Sequence, residues 1–224
     1  ALSCVAIVPV PIKSPKLISC KYLSIIIFII IIDQFSKIYI KLNYPLTLYG
    51  QPAIIDWGFF KLLFIENRGM AWGTKINDFI PFISEETGKL FLTILRLIAI
   101  SILSFWLIKT IRNKAHYLKT TALSLILAGA IGNIIDSLFY GVIFSHSYGQ
   151  IAQFLPEKGY APFLFGNVVD ILQFPLVSWK WPSWIPWIGG NDYTFFQYVF
   201  NFADSSISIG IAIILIFNKK IINS

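Results

Sequence analysis

Four stretches of the chain, at 22–40, 90–108, 117–135 and 198–217, are apolar over the length that a lipid bilayer demands. A helix needs about 20 mostly apolar residues to cross the hydrocarbon core. No water is available there, so backbone N–H and C=O groups must be bonded within the segment, and a run of this length has to be a helix. The first stretch reads YLSIIIFIIIIDQFSKIYI and the second LFLTILRLIAISILSFWLI; the third has a polar start and a Gly-rich end. Composition points the same way. Hydrophobic residues make up 56% of the chain and charged residues 13%, whereas a soluble domain is about half apolar and a quarter charged. The expected fold class is an α-helical integral membrane protein with four transmembrane helices, a small extracytoplasmic β-sheet platform and a membrane-lying loop.

Charge placement orients these spans, because positive residues are retained on the cytoplasmic side. Lys13, Lys16 and Lys21 precede the first span. Lys109, Arg112, Lys114 and Lys119 fill the short connection between the second and third, and Lys219 and Lys220 follow the fourth. Four spans put all three clusters on one side, so both termini and the short loop are expected in the cytoplasm. The connections at about 42–88 and 137–197 then lie outside. This placement accounts for the net charge of +7 without nucleic acid. Residues 1–21 read as a poorly ordered cytoplasmic leader, 22–217 as the membrane domain and 218–224 as a cytoplasmic tail. Cys4 and Cys20 lie in or next to the leader and suggest neither a disulfide framework nor a zinc site.

Between the first two spans, AIIDWGFFKLLFIEN is rich in β-branched and aromatic residues and is broken by Asp-Trp-Gly. A short hairpin or small sheet is expected within about 44–75, bounded by Pro45, Gly50, Pro52, Asn67 and Gly69. The second outer connection holds WKWPSWIPWIGGNDY, in which four of the seven Trp residues are interrupted by Pro182 and Pro186. Indole rings favour the headgroup region. A proline-bent loop lying on the membrane is expected, the alternative being an aromatic loop packed on the protein.

The acids carry the chemistry. An ionisable residue in a span is a candidate functional group. Asp33 and Lys37, four apart, share a helix face and can form a structural ion pair. Arg96, in the middle of the second span, is expected to pair within the bundle or to reach lipid phosphate, and has no catalytic role assigned. The third span ends in LAGAIGNIIDS, where Gly129 and Gly132 allow close helix approach and Asn133 and Asp136 share a face. The fourth opens with FNFADSS, where Asn201 and Asp204 repeat that spacing. Asp170 follows the short strand-like run GNVV. Neither Asp170 nor Asp204 has a Lys or Arg within four positions.

Two carboxylates held close resist double ionisation and share one proton. One can then activate water while its protonated partner polarises a carbonyl, which is peptide hydrolysis without metal or covalent intermediate. Ser205 and Ser206 lack a nearby His base, and His116 and His146 lie outside the motifs. No His/Cys/Glu cluster has metal-ligand spacing. The residues alone leave Asp33, Asp136, Asp170 and Asp204 all as candidates, with a helix-end carboxylate as the plainer role for any one of them. A small transporter or a non-catalytic, lipid-binding scaffold are the competing functions.

Five pieces, DQFSK at 33–37, ENRGMAWG at 66–73, GAIGNIID at 129–136, GNVVD at 166–170 and FNFADSSISIG at 200–210, occur in one order. In that order they resemble the lipoprotein signal peptidase (signal peptidase II) family of bacterial inner-membrane aspartyl proteases. The resemblance implies that Asp170 and Asp204 are the catalytic pair. Asp136 would support them with Asn133 and Asn201, Gly132 and Ala203 would lie beside them, and Asp33 and Lys37 would be structural. Asn67, Gly69 and Ala71 would lie on the β platform that cradles substrate. The implied partners are a diacylglyceryl prolipoprotein and membrane lipids. A monomer without cofactor is implied, with its site on the periplasmic side. Two departures stand out. The family often carries Arg where this chain has Ser137, and an insertion at about 138–165, like that of Bacteroidetes-type enzymes, separates Asp136 from Asp170 as an extra external lobe.

Overall fold

A computed structural model describes residues 15–48, 50–68 and 82–222. Helix α1 runs over Pro15–Asn43 and α2 over Glu85–Arg112. Ser84 caps α2 by accepting from Thr87 N at 3.1 Å. Glu85 and Glu86 in its first turn and Lys109 and Arg112 in its last oppose the helix dipole. Helix α3 spans Tyr117–Ile135, then widens into a π turn at Asp136–Tyr140 and continues helically to Ile143. Single π turns inside helices recur at functional sites. Helix α4 is Phe202–Ile216, and a short α5, Asn218–Ile222, follows it.

Three of these helices are long and apolar enough to cross a membrane: Cys20–Asn43, Glu85–Arg112 and Tyr117–Ile143. Helix α4 is apolar but has 15 residues, about 22 Å at the α-helical rise. It begins later than the expected 198 because Val199 and Phe200 form a strand and Asn201 caps the helix. Helix α3 is the centre of the bundle, with 56% of its apolar window buried against 17% for α1 and 11% for α2. It packs on α1, α2 and α4, whereas α2 and α4 do not pack on each other to any comparable extent. Apolar side chains such as Phe28, Phe105 and Leu215 point outward, as lipid-facing surfaces do. The α3–α4 contact is close because it is built on glycine. A Cβ on Gly129 would lie 2.2 Å from the Ala203 carbonyl oxygen, and one on Gly210 would lie 2.7 Å from that of Ala122.

At one end of the bundle sits an antiparallel sheet of order β1-β2-β3-β6. Its strands are β1 Ile55–Asp56, β2 Lys61–Asn67, β3 Val168–Gln173 and β6 Val199–Phe200. The β1–β2 turn falls at Asp-Trp-Gly, where the sequence breaks. The sheet also recruits strands from the stretch between α3 and α4, so the platform extends beyond 44–75. Residues 69–75 of that range lie outside the described residues. Ile40, Phe64, Tyr140, Phe144, Val169 and Ile171 form the core between sheet and helices.

The inserted lobe begins at 144 rather than 138, because 138–143 complete α3. Leu46 N donating to Ser147 O (3.1 Å) and Ala161 N donating to Gly141 O (3.0 Å) tie it down. The Trp-rich segment is more regular than a bent loop. It forms a second hairpin, β4 Val177–Lys180 paired with β5 Asp192–Phe195. Its tip leaves Trp184 80% and Trp187 98% exposed, so these rings are not packed on the protein.

Candidate active site

Where β3, α3 and the start of α4 meet, the chain places two groups of acids side by side. The first group has a cation at its centre. Lys37 Nζ lies 2.7 Å from Asp33 Oδ2 and 2.8 Å from Asp136 Oδ2, and all three side chains are fully buried. Gln34, not singled out from the sequence, bridges the acids by donating to Asp33 Oδ2 (3.1 Å) and Asp136 Oδ1 (2.9 Å). Each acid spends a remaining oxygen or lone pair on backbone. Asp33 Oδ1 accepts from Ala203 N at 2.9 Å, and Asp136 Oδ2 accepts from Val169 N at 3.2 Å. Ala203 and Val169 are the residues immediately before Asp204 and Asp170. The ion triad therefore grips the chain one residue short of each of the other two aspartates.

The second group is Asp170 on β3 and Asp204 in the first turn of α4. Among the described residues the salt bridges join Lys37 to Asp33 and Asp136, Lys41 to Glu66, and Lys61 to Asp56; none reaches this pair. Amides surround it instead. Asn201 Nδ2 donates to Asp170 Oδ1 at 2.7 Å, and Asn67 Nδ2 to Asp170 Oδ2 at 3.2 Å. Asn133 Nδ2 donates to Asp204 Oδ1 at 2.7 Å. Asn201 joins the two acids, since its side chain also caps Asp204 N (2.8 Å) and its own N–H meets Asp204 Oδ2 (3.4 Å). Asn133 Oδ1 in turn accepts from Lys37 (3.1 Å) and Asn201 (3.1 Å), coupling the groups. Burial first, and next the Asp204 carboxylate, push the Asp170 carboxyl up to about 7. Amide donors fix an acid without neutralising it, so this pair can hold one proton between two carboxylates.

Gly132 and Ala203 let the helices close around this centre. A Cβ on Gly132 would lie 2.8 Å from Asp33 Oδ2 and 3.0 Å from the Ala203 Cβ, and Ala203 is fully buried. Gly69 and Ala71 lie outside the described residues. Ser205 and Ser206 donate to backbone carbonyls of Asn201 and Leu125, as helix-end hydroxyls commonly do. Arg96 pairs within the bundle, its Nη1 meeting Ser137 Oγ at 3.1 Å.

A further network was not anticipated. Lys41, fully buried, pairs with Glu66 and donates to Ser147 at 2.8 Å, inside a cage of Phe64, Phe144 and Tyr160 rings. Asn167 Nδ2 donates to Glu66 Oε2 at 2.9 Å. This network ties α1, β2, the lobe and the start of β3 together. The available signal was the spacing of Asp33, Lys37 and Lys41, which puts three charges on one face of α1.

The fold and this centre define a helical membrane protein with a paired-carboxylate site at one end of its bundle. Residues 25–219 match the family model described as signal peptidase (SPase) II. The chain is 43% identical over 196 residues to the lipoprotein signal peptidase of Porphyromonas gingivalis, covering 86% of this chain and 80% of that one. It is 33% identical over 199 residues to the lipoprotein signal peptidase of Amoebophilus asiaticus, covering 88% and 76%. A solved structure titled as a bacterial membrane enzyme superposes with TM-score 0.54 at 25% identity, covering 88% of this chain and 90% of that one. The chain belongs to the signal peptidase II family.

Proposed function

We propose that this chain is an aspartyl endopeptidase that removes the signal peptide from diacylglyceryl-modified prolipoproteins, cutting before the lipidated cysteine. Membership of the signal peptidase II family supports peptide-bond cleavage in lipoprotein precursors. The observation that carries the aspartyl reading is the contrast above: Asp170 and Asp204 are held by amides, with no cation pairing among the described residues. Asp170, buried on a strand, starts as the acid. Asp204, at the N-terminal end of α4 where the helix dipole holds negative charge, starts as the base.

Water between them gives a proton to Asp204 while its oxygen bonds to the scissile carbonyl carbon. Asp170 delivers its proton to the carbonyl oxygen, giving a neutral gem-diol. The diol then returns a proton through the pair to the departing nitrogen, and the C–N bond breaks. The products are a new carboxyl terminus on the signal peptide and a free amine on the cysteine. Asn67, Gly69, Ala71, Gly132, Asn133, Asp136, Asn201 and Ala203 order the pair and the substrate around it.

The reading places the chain as a monomer in the bacterial inner membrane, with both termini cytoplasmic and the site at the periplasmic boundary. The basic clusters support this orientation, and a boundary site suits a substrate whose acyl chains remain in the bilayer. Detergent-purified protein incubated with a diacylglyceryl-modified precursor should release a shortened product. A precursor lacking the lipid should stay intact. Equal cleavage of both would remove the lipid from the specificity.

A further inference from the structure

The strand that carries Asn67 is held from behind by the inserted lobe. Successive side chains of a strand point to opposite faces. On β2, Asn67 turns to Asp170, while Phe64 and Glu66 turn to the buried Lys41. Both Glu66 oxygens are engaged there. Oε1 meets Lys41 and accepts from Ser147 Oγ at 2.8 Å, and Oε2 accepts from Asn167 Nδ2 at 2.9 Å. Ser147, fully buried, also accepts from Lys41 Nζ at 2.8 Å. Tyr160, a second residue of the lobe, accepts from Asn167 N through its hydroxyl at 2.7 Å. Glu66 directly precedes Asn67, and Asn167 directly precedes β3, which carries Asp170. The lobe therefore grips both strands close to the two groups that meet at the site.

A buried ion pair adds little net stability over an apolar filling, and its best-attested use is to fix a register. Register matters here. β2 and β3 pair with Asn67 opposite Val168, Glu66 opposite Val169 and Ile65 opposite Asp170. A slip of one residue turns every side chain of a strand to the other face. On β2 it would withdraw the Asn67 amide and point the Glu66 carboxylate at the acid pair. Resting on the proteolytic reading above, we propose that Ser147 and Tyr160 are positioning residues, which hold Glu66 and Asn167 so that Asn67 meets the Asp170 carboxylate. The lobe then takes part in the working site without touching the reacting atoms.

The test is steady-state kinetics on a diacylglyceryl-modified precursor across a pH series, with Asn67→Ala as the reference. Asn67 donates to Asp170 and favours its ionised form, so Asn67→Ala should carry the alkaline limb of the profile to higher pH. The charged groups around Asp170 on the other elements are Asp204 of α4, Lys37 of α1, Asp136 at the end of α3 and Arg96 of α2, and none is altered. Ser147→Ala and Tyr160→Phe should each lower kcat about tenfold, less than the roughly 10²-fold that a misplacement of about 1 Å can cost. Both should move the alkaline limb the same way as Asn67→Ala. Added to Asn67→Ala, neither should cause further loss, because the contact it sets is already gone. Variants that melt lower yet keep wild-type kcat and pH profile overturn the proposal and leave both residues as supports of the fold. Losses that add to that of Asn67→Ala overturn it too. Should Ser147→Ala fail to accumulate, Tyr160→Phe, which keeps the ring against Lys41, decides alone. A wild-type protein that leaves the precursor intact overturns the proteolytic reading itself, a result distinct from cleavage to which both variants are indifferent.

Discussion

The triad of Asp33, Lys37 and Asp136 and the pair of Asp170 and Asp204 use the same side chain for opposite ends. In the triad a lysine pairs with both acids, a glutamine bridges them, and backbone N–H groups take further acceptor positions. In the pair the partners are amides from Asn67, Asn133 and Asn201. They fix geometry, and among the described residues no cation forms a salt bridge with either acid. The comparison teaches that buried acids in one site can be held in two ways, by a cation or by amides. It also assigns the triad a task, since Asp33 and Asp136 hold the N–H groups of Ala203 and Val169 and so set where Asp204 and Asp170 stand.

Exchanging the acids breaks this contrast most sharply. Asp170→Asn or Asp204→Asn should lower cleavage of a lipidated precursor by about 10³-fold or more, the scale of general acid–base catalysis. The membrane-extracted protein should remain folded by circular dichroism. Substantial residual activity in either variant would take that residue out of the pair.

Lys37→Met should do the reverse, acting on stability before chemistry. It strands two fully buried carboxylates, and breaking such a pair costs about 3–5 kcal/mol. A large drop in melting temperature is expected, and an unchanged one would mean that the triad is not a support.

The pH response sharpens the contrast further. Asp170 keeps its proton up to about 7 and releases it above. Activity that needs one shared proton therefore falls as pH rises beyond that point, approaching tenfold per unit for loss of a single proton. A rate that climbs steadily toward pH 9 would contradict the shared-proton scheme.

The smallest effect belongs to the hairpin. Trp187 is 98% exposed, so Trp187→Ser should leave cleavage in detergent within about twofold, as surface changes do. A larger loss there would place the hairpin tip on the substrate.

The helices could be read from the sequence because each is a local apolar run. The sheet was only half readable. DWG marked the β1–β2 turn, but the pairing of Asn67 with Val168 and of Leu172 with Phe200 is long-range and leaves no local trace. The fourth helix was drawn too long because Val199 and Phe200 are as apolar in a strand as they would be in a span. At the site, residue types alone leave four aspartates as candidates, and the family resemblance implies which two form the pair. The structure adds a difference in partners: Lys37 pairs along its own helix with Asp33 and across to Asp136 on α3, while amides hold Asp170 and Asp204. Gln34, Lys41 and Glu66 stayed hidden because their partners come from other elements.

The proton itself offers the most direct test. Infrared difference spectroscopy across a pH titration, with Asp170→Asn as the reference, reports the protonated carboxyl of Asp170. The account predicts loss of that band with a midpoint of about 7, shifting downward in Asp204→Asn because the neighbouring negative charge is gone. A midpoint at the ordinary aspartate value of about 4, indifferent to residue 204, would show that the two acids do not share a proton.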